Sequence, residues 1–504
     1  MEIKKGNINL YEQVARGVSN ALVEGDVILP DTKPDMSEIL IADAKARVSS
    51  LDCRNGSVTV TGEVMFCALY TPEEAQETKS LEQVFPFSQT VDLKCTDDTE
   101  FKAEVLVEHI GFTLINSRKL SAKIMVAINV FGGIENCYEP IIEVCSENIE
   151  SRDKKYSIYI PLSETKTDIA VSDILTVPQN KPDIGEILKV DAYVTPHDTK
   201  LMNGKAMVHA ELNVNTVYTA AEDGRLMGVS HSVPFTEVVE APGADEQSVV
   251  HVSYCVDKIS ANTKGDLNGD TKIISMDAEL CAKVRVSRTV SEKIVDDCYF
   301  MDTKTEIARR NMKIKEYVTS ENTRIPVRSR VEAPKNVVVN EVINCCVKPL
   351  PRECTWENGK VKVKGDLVTF LIYRDEQGIA RSAVAENDIV WEKNIKDPCE
   401  IEADMWIDNV NCEIGETGVE ILTNVGIYTK ALKSCDVDII TDIQSKEETN
   451  SGVFPSMVIY FAKDGDTLWS IAKKYRTKAD KIKRANNLDN DKIEVGRRLL
   501  IPKA

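Results

Sequence analysis

Apolar and polar residues alternate along most of this 504-residue chain. Ser57-Val58-Thr59-Val60-Thr61-Gly62-Glu63-Val64-Met65-Phe66 is the clearest stretch, and period-two alternation is the signature of a strand with one face buried. The Asn55-Gly56 dipeptide before it predicts a hairpin turn back to 46–51. A second hairpin is predicted from 105–112 and 119–131 around Asn116-Ser117-Arg118. Similar pairs recur at 249–259 with 272–286, around 266–270, and at 402–410 with 418–428, around Gly415-Glu416. Hairpins that are apolar on one face bury those faces against each other, so the pattern predicts sandwich-like β domains.

The period changes near the C-terminus. A short apolar run at 458–462 precedes a turn at Asp464-Gly465. Leu468, Ile471, Ala472 and Tyr475 then recur at helical spacing, as do Ala479, Ile482 and Ala485. Asp466 is the expected cap of the first helix, and Thr477 with Asp480 is a weak capping box for the second. Asn486-Asn487 is expected to end that helix in the left-handed region. Leu499 and Ile501 fit a closing strand ended by Pro502. The order is strand, helix, helix, strand.

The β body repeats itself. Leu29-Pro30-Asp31-Thr32-Lys33-Pro34-Asp35-Met36-Ser37-Glu38-Ile39-Leu40 returns as Val177-Pro178-Gln179-Asn180-Lys181-Pro182-Asp183-Ile184-Gly185-Glu186-Ile187-Leu188, an offset of 148 that also maps Gly56 to Gly204, Tyr70 to Tyr218 and Phe87 to Phe235. A third, degenerate copy follows at an offset of 155, with Gly359 to Tyr373 matching Gly204 to Tyr218. There Asn336-Val337-Val338 stands in place of Lys-Pro-Asp. Units of this size are tandem domains rather than solenoid turns. Within the motif, Lys33, Pro34, Asp35 and Glu38, with Lys181, Pro182, Asp183 and Glu186, are expected to form a structural helical turn, since Pro and acids suit a first helical turn. Self-association or a partner contact is the sharper alternative.

Charge divides the chain. Residues 454–504 hold 12 Lys+Arg against 6 Asp+Glu, a net of +6, which leaves −25 for the remainder. An acidic body argues against nucleic acid, which needs clustered positive charge. The basic segment would suit an acidic partner surface or simply be a solvated face. No apolar run is long enough for a transmembrane helix, and the first residues lack the pattern of a secretory signal, so a cytoplasmic protein is expected. The 14 cysteines form no Cys-x-x-Cys pair; many lie in strand-like runs, where free Cys acts as a small core residue. Asp266-Leu267-Asn268-Gly269-Asp270 faintly matches a calcium loop, but Thr271 replaces the required Gly, and a strand-connecting turn is the better reading. His109, His197, His209, His231 and His251 show no ligand spacing. No metal site, cofactor or catalytic constellation is expected, and the chain reads as a non-enzyme.

The C-terminal segment, from Ile459-Tyr460-Phe461-Ala462 through Gly465-Asp466-Thr467-Leu468-Trp469 to Arg484-Ala485-Asn486-Asn487-Leu488 and Leu499-Leu500-Ile501-Pro502, closely resembles a LysM module. That resemblance implies a shallow groove for N-acetylglucosamine polymers such as peptidoglycan. By position the groove would comprise Gly465, Asp466, Thr467, Leu468, Asn487, Leu488 and Ile493, with Trp469 an exposed candidate contact. Leu468 reads equally as core. The repeat, through 29–40, 177–188 and the 114–121 hairpin, resembles the SPOCS domain of clostridial sporulation proteins. Together the two resemblances imply mainly β architecture, tandem sandwich-like SPOCS repeats plus a small βααβ LysM domain. The expected layout is 1–150, 151–312 and a degenerate 313–443, then a flexible linker at 444–455 and LysM at 456–504. They also imply an adaptor of spore-coat assembly in the mother cell, ending at the forespore surface. In that setting the resemblance implies that LysM docks on a scaffold resembling the stage IV sporulation ATPase, with self-association of the body into a homo-oligomer as a further expectation. The other function class is a peptidoglycan-binding protein of cortex or wall. The missing secretion signal favours the adaptor, and one shallow groove would hold sugar weakly.

Overall fold

The computed structural model describes residues 2–54, 56–73, 77–93, 98–265, 271–446 and 456–502. The first repeat contains β1 (Glu2–Lys5), β2 (Ile8–Ile28), β3 (Met36–Arg54), β4 (Ser57–Pro72), β5 (Lys79–Asp92), β6 (Glu100–Asn116), β7 (Lys119–Tyr138) and β8 (Ile141–Cys145). The second contains β9 (Ile149–Thr176), β10 (Ile184–Met202), β11 (Lys205–Ala220), β12 (Leu226–Glu240), β13 (Val249–Lys264) and β14 (Ile273–Phe300). The third contains β15 (Lys304–Glu332), β16 (Val339–Glu357), β17 (Lys360–Asp375), β18 (Ala380–Asn394), β19 (Glu400–Gly415) and β20 (Gly418–Lys446). The C-terminal module is β21 (Met457–Phe461), α1 (Leu468–Tyr475), α2 (Ala479–Ala485) and β22 (Arg498–Pro502). The protein is mainly β, with three sandwich-like repeats and one βααβ module.

All three repeats share one topology. One antiparallel sheet runs β2-β7-β6, β9-β14-β13 or β15-β20-β19; the other runs β3-β4-β5, β10-β11-β12 or β16-β17-β18. The degenerate third copy keeps the full six-strand pattern. In the first repeat Val58, Val60, Val64 and Phe66 of β4 meet Leu120, Ile124, Val126 and Ile128 of β7 in one core. Each sheet therefore has three strands, where the alternation predicted pairs. The third strand escaped because its pattern is mixed. Val14, Val18 and Leu22 of β2 lie on its solvent side, so apolar residues occur on both faces and the period disappears.

The proline motif is not helical. Lys33 N–H donates to Pro30 O and Lys181 N–H to Pro178 O, closing β-turns, and strand begins immediately at Met36 and Ile184. The third copy keeps the turn, Val337 N–H to Pro334 O, by placing Asn336 at φ 68°. The far hairpin holds the motif in place. Ser117 Oγ and Arg118 Nη1 donate to Asp35 at 2.8 and 2.6 Å, and Thr271 N–H donates to Asp183 at 3.2 Å. Those bonds hold the Asp35 carboxyl below its ordinary pKa. Tyr70 and Tyr218 donate to the Pro34 and Pro182 carbonyls. The motif thus ties the two sheets of one repeat together at one end.

Glu186 does something different: it accepts from Lys79 of the first repeat at 3.0 Å. Similar contacts join every pair of repeats. Ser382 Oγ donates to Leu40 O, and Gly228 of β12 lies so close to Ile343 of β16 that an added Cβ would overlap its carbonyl oxygen. First touches second, second touches third, and third touches first, so the repeats close into a ring. At the centre, sequence-equivalent residues from all three meet: Leu40, Leu188 and Ile343, then Leu69, Val217 and Ile372. Beside this apolar layer lies a buried charge network. Lys189 pairs with Asp191 and, at 3.2 Å, with Asp43; Lys348 reaches Asp43 at 2.5 Å.

The outer ends of the long strands form a second shared core. Ile8, Leu10 and Tyr138 of the first repeat meet Ile158 and Ile294 of the second and Met312, Ile314, Val437 and Ile439 of the third. Among the described residues no helix is long and apolar enough to cross a membrane. The calcium-like segment 266–270 lies outside the described residues. The cysteines are mixed rather than uniformly core. Cys298 and Cys346 are buried, whereas Cys53, Cys137, Cys145 and Cys255 are exposed. Burial pushes the Cys67 and Cys346 thiols up to about 12.

His251 sits where the second and third repeats touch. Its ring stacks on Tyr428 with centroids 3.6 Å apart, and its Nε2 lies 2.6 Å from Asp404, which Arg285 also engages. Burial lowers the His251 pKa, and the Asp404 hydrogen bond only partly opposes it. Burial disfavours the Asp404 charge, but the His251 bond and Arg285 overcome it and bring that carboxyl down to about 2. Both folded values lie below the unfolded ones, so the unfolded chain binds more protons and acid destabilises. The His251 contribution is complete above about pH 6.5 and declines below it. The melting temperature should fall by a few degrees from neutral pH to about pH 5. His251→Phe, which keeps the stack, should flatten that slope; an unchanged slope would exclude His251 as its source.

Candidate functional site

The candidate site is the βααβ module, where β21 and β22 pair antiparallel and the helices pack on one face. Thr467, not Asp466, caps α1. Its Oγ1 accepts from Ser470 N–H at 3.0 Å, and Ser470 Oγ accepts from Thr467 N–H at 2.9 Å. Asp466 instead accepts from Lys463 N–H at 2.8 Å and Tyr460 O–H at 2.7 Å, and these bonds lower its pKa. It closes the turn in which Gly465 takes φ 81°. The second capping box does not form, because Thr477 Oγ donates to Pro502 O at 2.7 Å and binds β22. Asn487 does end α2 in the left-handed region, at φ 50°. Asn486, which the sequence suggested only as a helix stop, bonds Ile482 and both the N–H and C=O of Leu500.

These bonds settle where each groove residue stands. Leu468 is 2% exposed and is core. Leu488 and Ile493 pack on the same cluster, which brings the 465–468 loop and the 487–493 loop over one core. Gly465, Thr467 and Asn487 are exposed, and Asp466 is half-buried.

Trp469 is not an exposed contact, because it faces the body. Its Nε1 donates to Asp297 at 2.8 Å, its ring meets Tyr299 edge-on at 5.1 Å, and the Arg152 guanidinium lies 5.4 Å from it. Lys473 reaches Asp297 at 2.6 Å and Lys478 reaches Glu150 at 3.3 Å. Tyr299 O–H donates to Thr477 O at 2.7 Å. Part of the module's positive charge is thus matched by the chain's own acidic body. The flexible linker expected at 444–455 would leave the module free of the body; instead α1 packs on β9 and β14, with the groove loops left open to solvent. Of the expected linker, 444–446 continues β20, and 447–455 lies outside the described residues. Asp297 and Tyr299 carried no sequence signal, because each is an ordinary strand residue some 170 positions away.

Two family models match the chain. The LysM domain model covers 462–502. The model described as SipL, SPOCS domain covers 35–115 and 183–264. The third repeat lies outside those matches, although its strands follow the same order. No curated protein and no solved structure matches the chain. Both families are binding or structural domains. With two matched repeats ahead of a βααβ module, the chain carries SPOCS-type domains followed by a C-terminal LysM domain.

Proposed function

We propose that the protein is a non-enzymatic adaptor of spore-coat assembly, in which the ring of SPOCS repeats holds the LysM module as a fixed docking head. The observation that carries this reading is the division of the module's surface. Trp469, Lys473 and Lys478 are committed to the body, whereas Gly465, Thr467 and Asn487 are open. A fixed head loses less freedom on docking than a tethered one. The expected partner is a coat scaffold resembling the stage IV sporulation ATPase, met on the mother-cell side of the forespore. Because the repeats bury their equivalent surfaces on one another, self-association would have to use other faces.

The LysM match itself favours a second reading, in which the open groove holds peptidoglycan glycan. One variant tests both. Asn487→Gly keeps the left-handed backbone and removes the side chain. The full chain and this variant should be titrated with the scaffold ATPase and with soluble peptidoglycan fragments. We expect the ATPase to bind and the variant to lose up to about tenfold in affinity. Saturable glycan binding with no ATPase binding would replace the adaptor with the glycan reading.

A further inference from the structure

We propose that Cys255, Asp257 and Cys281 form a binding site for a zinc-class divalent cation on the β13–β14 hairpin. Cys255 and Cys281 are direct cross-strand partners, so their side chains leave the same face of the sheet, a few ångströms apart. Asp257 lies two residues beyond Cys255, where the register slips between Val256 and Lys258. The slip leaves Asp257 as the extra residue of a β-bulge, and such bulges re-aim side chains. Here the carboxylate turns back, and Cys255 Sγ lies 3.3 Å from Asp257 Oδ1. One donor atom from each of the three residues falls within 4.8 Å of the other two.

That spacing matches the chemistry of the ion. Zinc–sulfur bonds of about 2.3 Å at tetrahedral angles put two thiolates about 3.8 Å apart, so small rotations of the three side chains would close the site. Two thiolates with one carboxylate favour a borderline-soft ion over magnesium or calcium, which take oxygen ligands. Three protein donors leave a fourth position for water or another ligand. Asp168 of β9 is the cross-strand neighbour of Cys281 on its other side, so a second carboxylate stands in the same row. Access is open from solvent, since Cys255 is exposed. The cleft between the first and second repeats also reaches Asp257, together with Cys67 and Glu82. Binding would join β13 to β14 beyond their backbone ladder and would release the two thiol protons.

The test uses the full chain, kept reduced with a phosphine and titrated with Co2+, then competed with Zn2+. The chain has 14 cysteines, so the reading is the difference between variants. Wild type should show a thiolate-to-cobalt charge-transfer band that zinc displaces, with one equivalent more metal than Cys255→Ser/Cys281→Ser. Asp257→Asn should weaken cobalt binding by about tenfold or more. Cys345→Ser/Cys412→Ser, which alters a thiol pair in the third repeat, should keep the band. A band of equal strength in the Cys255→Ser/Cys281→Ser variant would overturn the proposal. So would its absence from wild type, or a Cys255–Cys281 disulfide that persists in the reduced protein.

Discussion

Lys189→Met should destabilise the body by about 3–5 kcal/mol, the usual cost of removing one partner from a buried ion pair. Lys189 carries the only ammonium that pairs with Asp191 among the described ion pairs, and it shares Asp43 with Lys348. The side chains of Lys189, Asp43 and Asp191 are less than a tenth exposed. Burial works against each charge, but the opposite charges prevail: Asp43 is held well below the ordinary carboxylate range and Lys189 well above the ordinary lysine value. Removing the ammonium leaves Asp191 buried without that partner, and such a charge cannot recover its hydration. Lys189→Met/Asp191→Leu removes both charges and leaves Asp43 with Lys348 as a complete pair. The double variant should regain most of the loss, because an apolar pair of similar volume is often neutral against a buried ion pair. Calorimetric melting of the three proteins at neutral pH measures the coupling. If the single variant melts no lower than the double, the network does not hold the ring together.

The same network shows where sequence reading stops. Asp43, Asp191 and Cys346 occupy equivalent positions in the three repeats, as do Ile41, Lys189 and Asn344. In one strand each looks like an ordinary polar or apolar alternation. Only closure of three repeats, 146 and 305 residues apart for the pairs Lys189–Asp43 and Lys348–Asp43, makes them a buried cluster. What was legible was local. The run from Ser57 to Phe66 announced β4 because one face is fully buried against the other sheet. The helical spacing of Leu468, Ile471 and Ala472 announced α1 for the same reason. The Lys-Pro-Asp motif was visible, but its form was misjudged, because Pro and acidic residues suit a tight turn as well as a helix start. What holds the Asp of the turn comes from the far hairpin, Ser117 and Arg118 in the first repeat and Thr271 in the second. In the module, Asp466 and Thr467 are both good caps by type. The nearby Tyr460 hydroxyl takes up Asp466, and Thr467 is left to cap α1.

Tyr299→Ala should free the LysM module from the body. Tyr299 is 2% exposed and belongs to the same cluster as Leu468, Ile471 and Ala472, although it comes from β14. Truncation removes a large buried aromatic, at a cost of about 3–5 kcal/mol, and leaves the Thr477 carbonyl without this donor. Of the remaining polar contacts, Lys478–Glu150 is partly solvated, and such pairs contribute about 0–1 kcal/mol; the Asp297 contacts with Trp469 and Lys473 are the others left to hold the module. Tyr299→Phe keeps the ring against Trp469 and loses only the hydrogen bond, about 1–2 kcal/mol, so that module should stay seated. Amide resonances report the difference. In wild type and Tyr299→Phe the α1 signals should have the broad lines of the whole particle; in Tyr299→Ala they should sharpen to those of a small free module. Sharp α1 lines already present in wild type would mean that the module is not anchored. Broad lines surviving in Tyr299→Ala would move the anchor to Asp297, whose carboxylate receives both Trp469 and Lys473. The two outcomes also separate two ways of recruiting a partner. A seated module presents Gly465, Thr467 and Asn487 in one fixed direction relative to the ring, and a freed one would sweep the same residues through many.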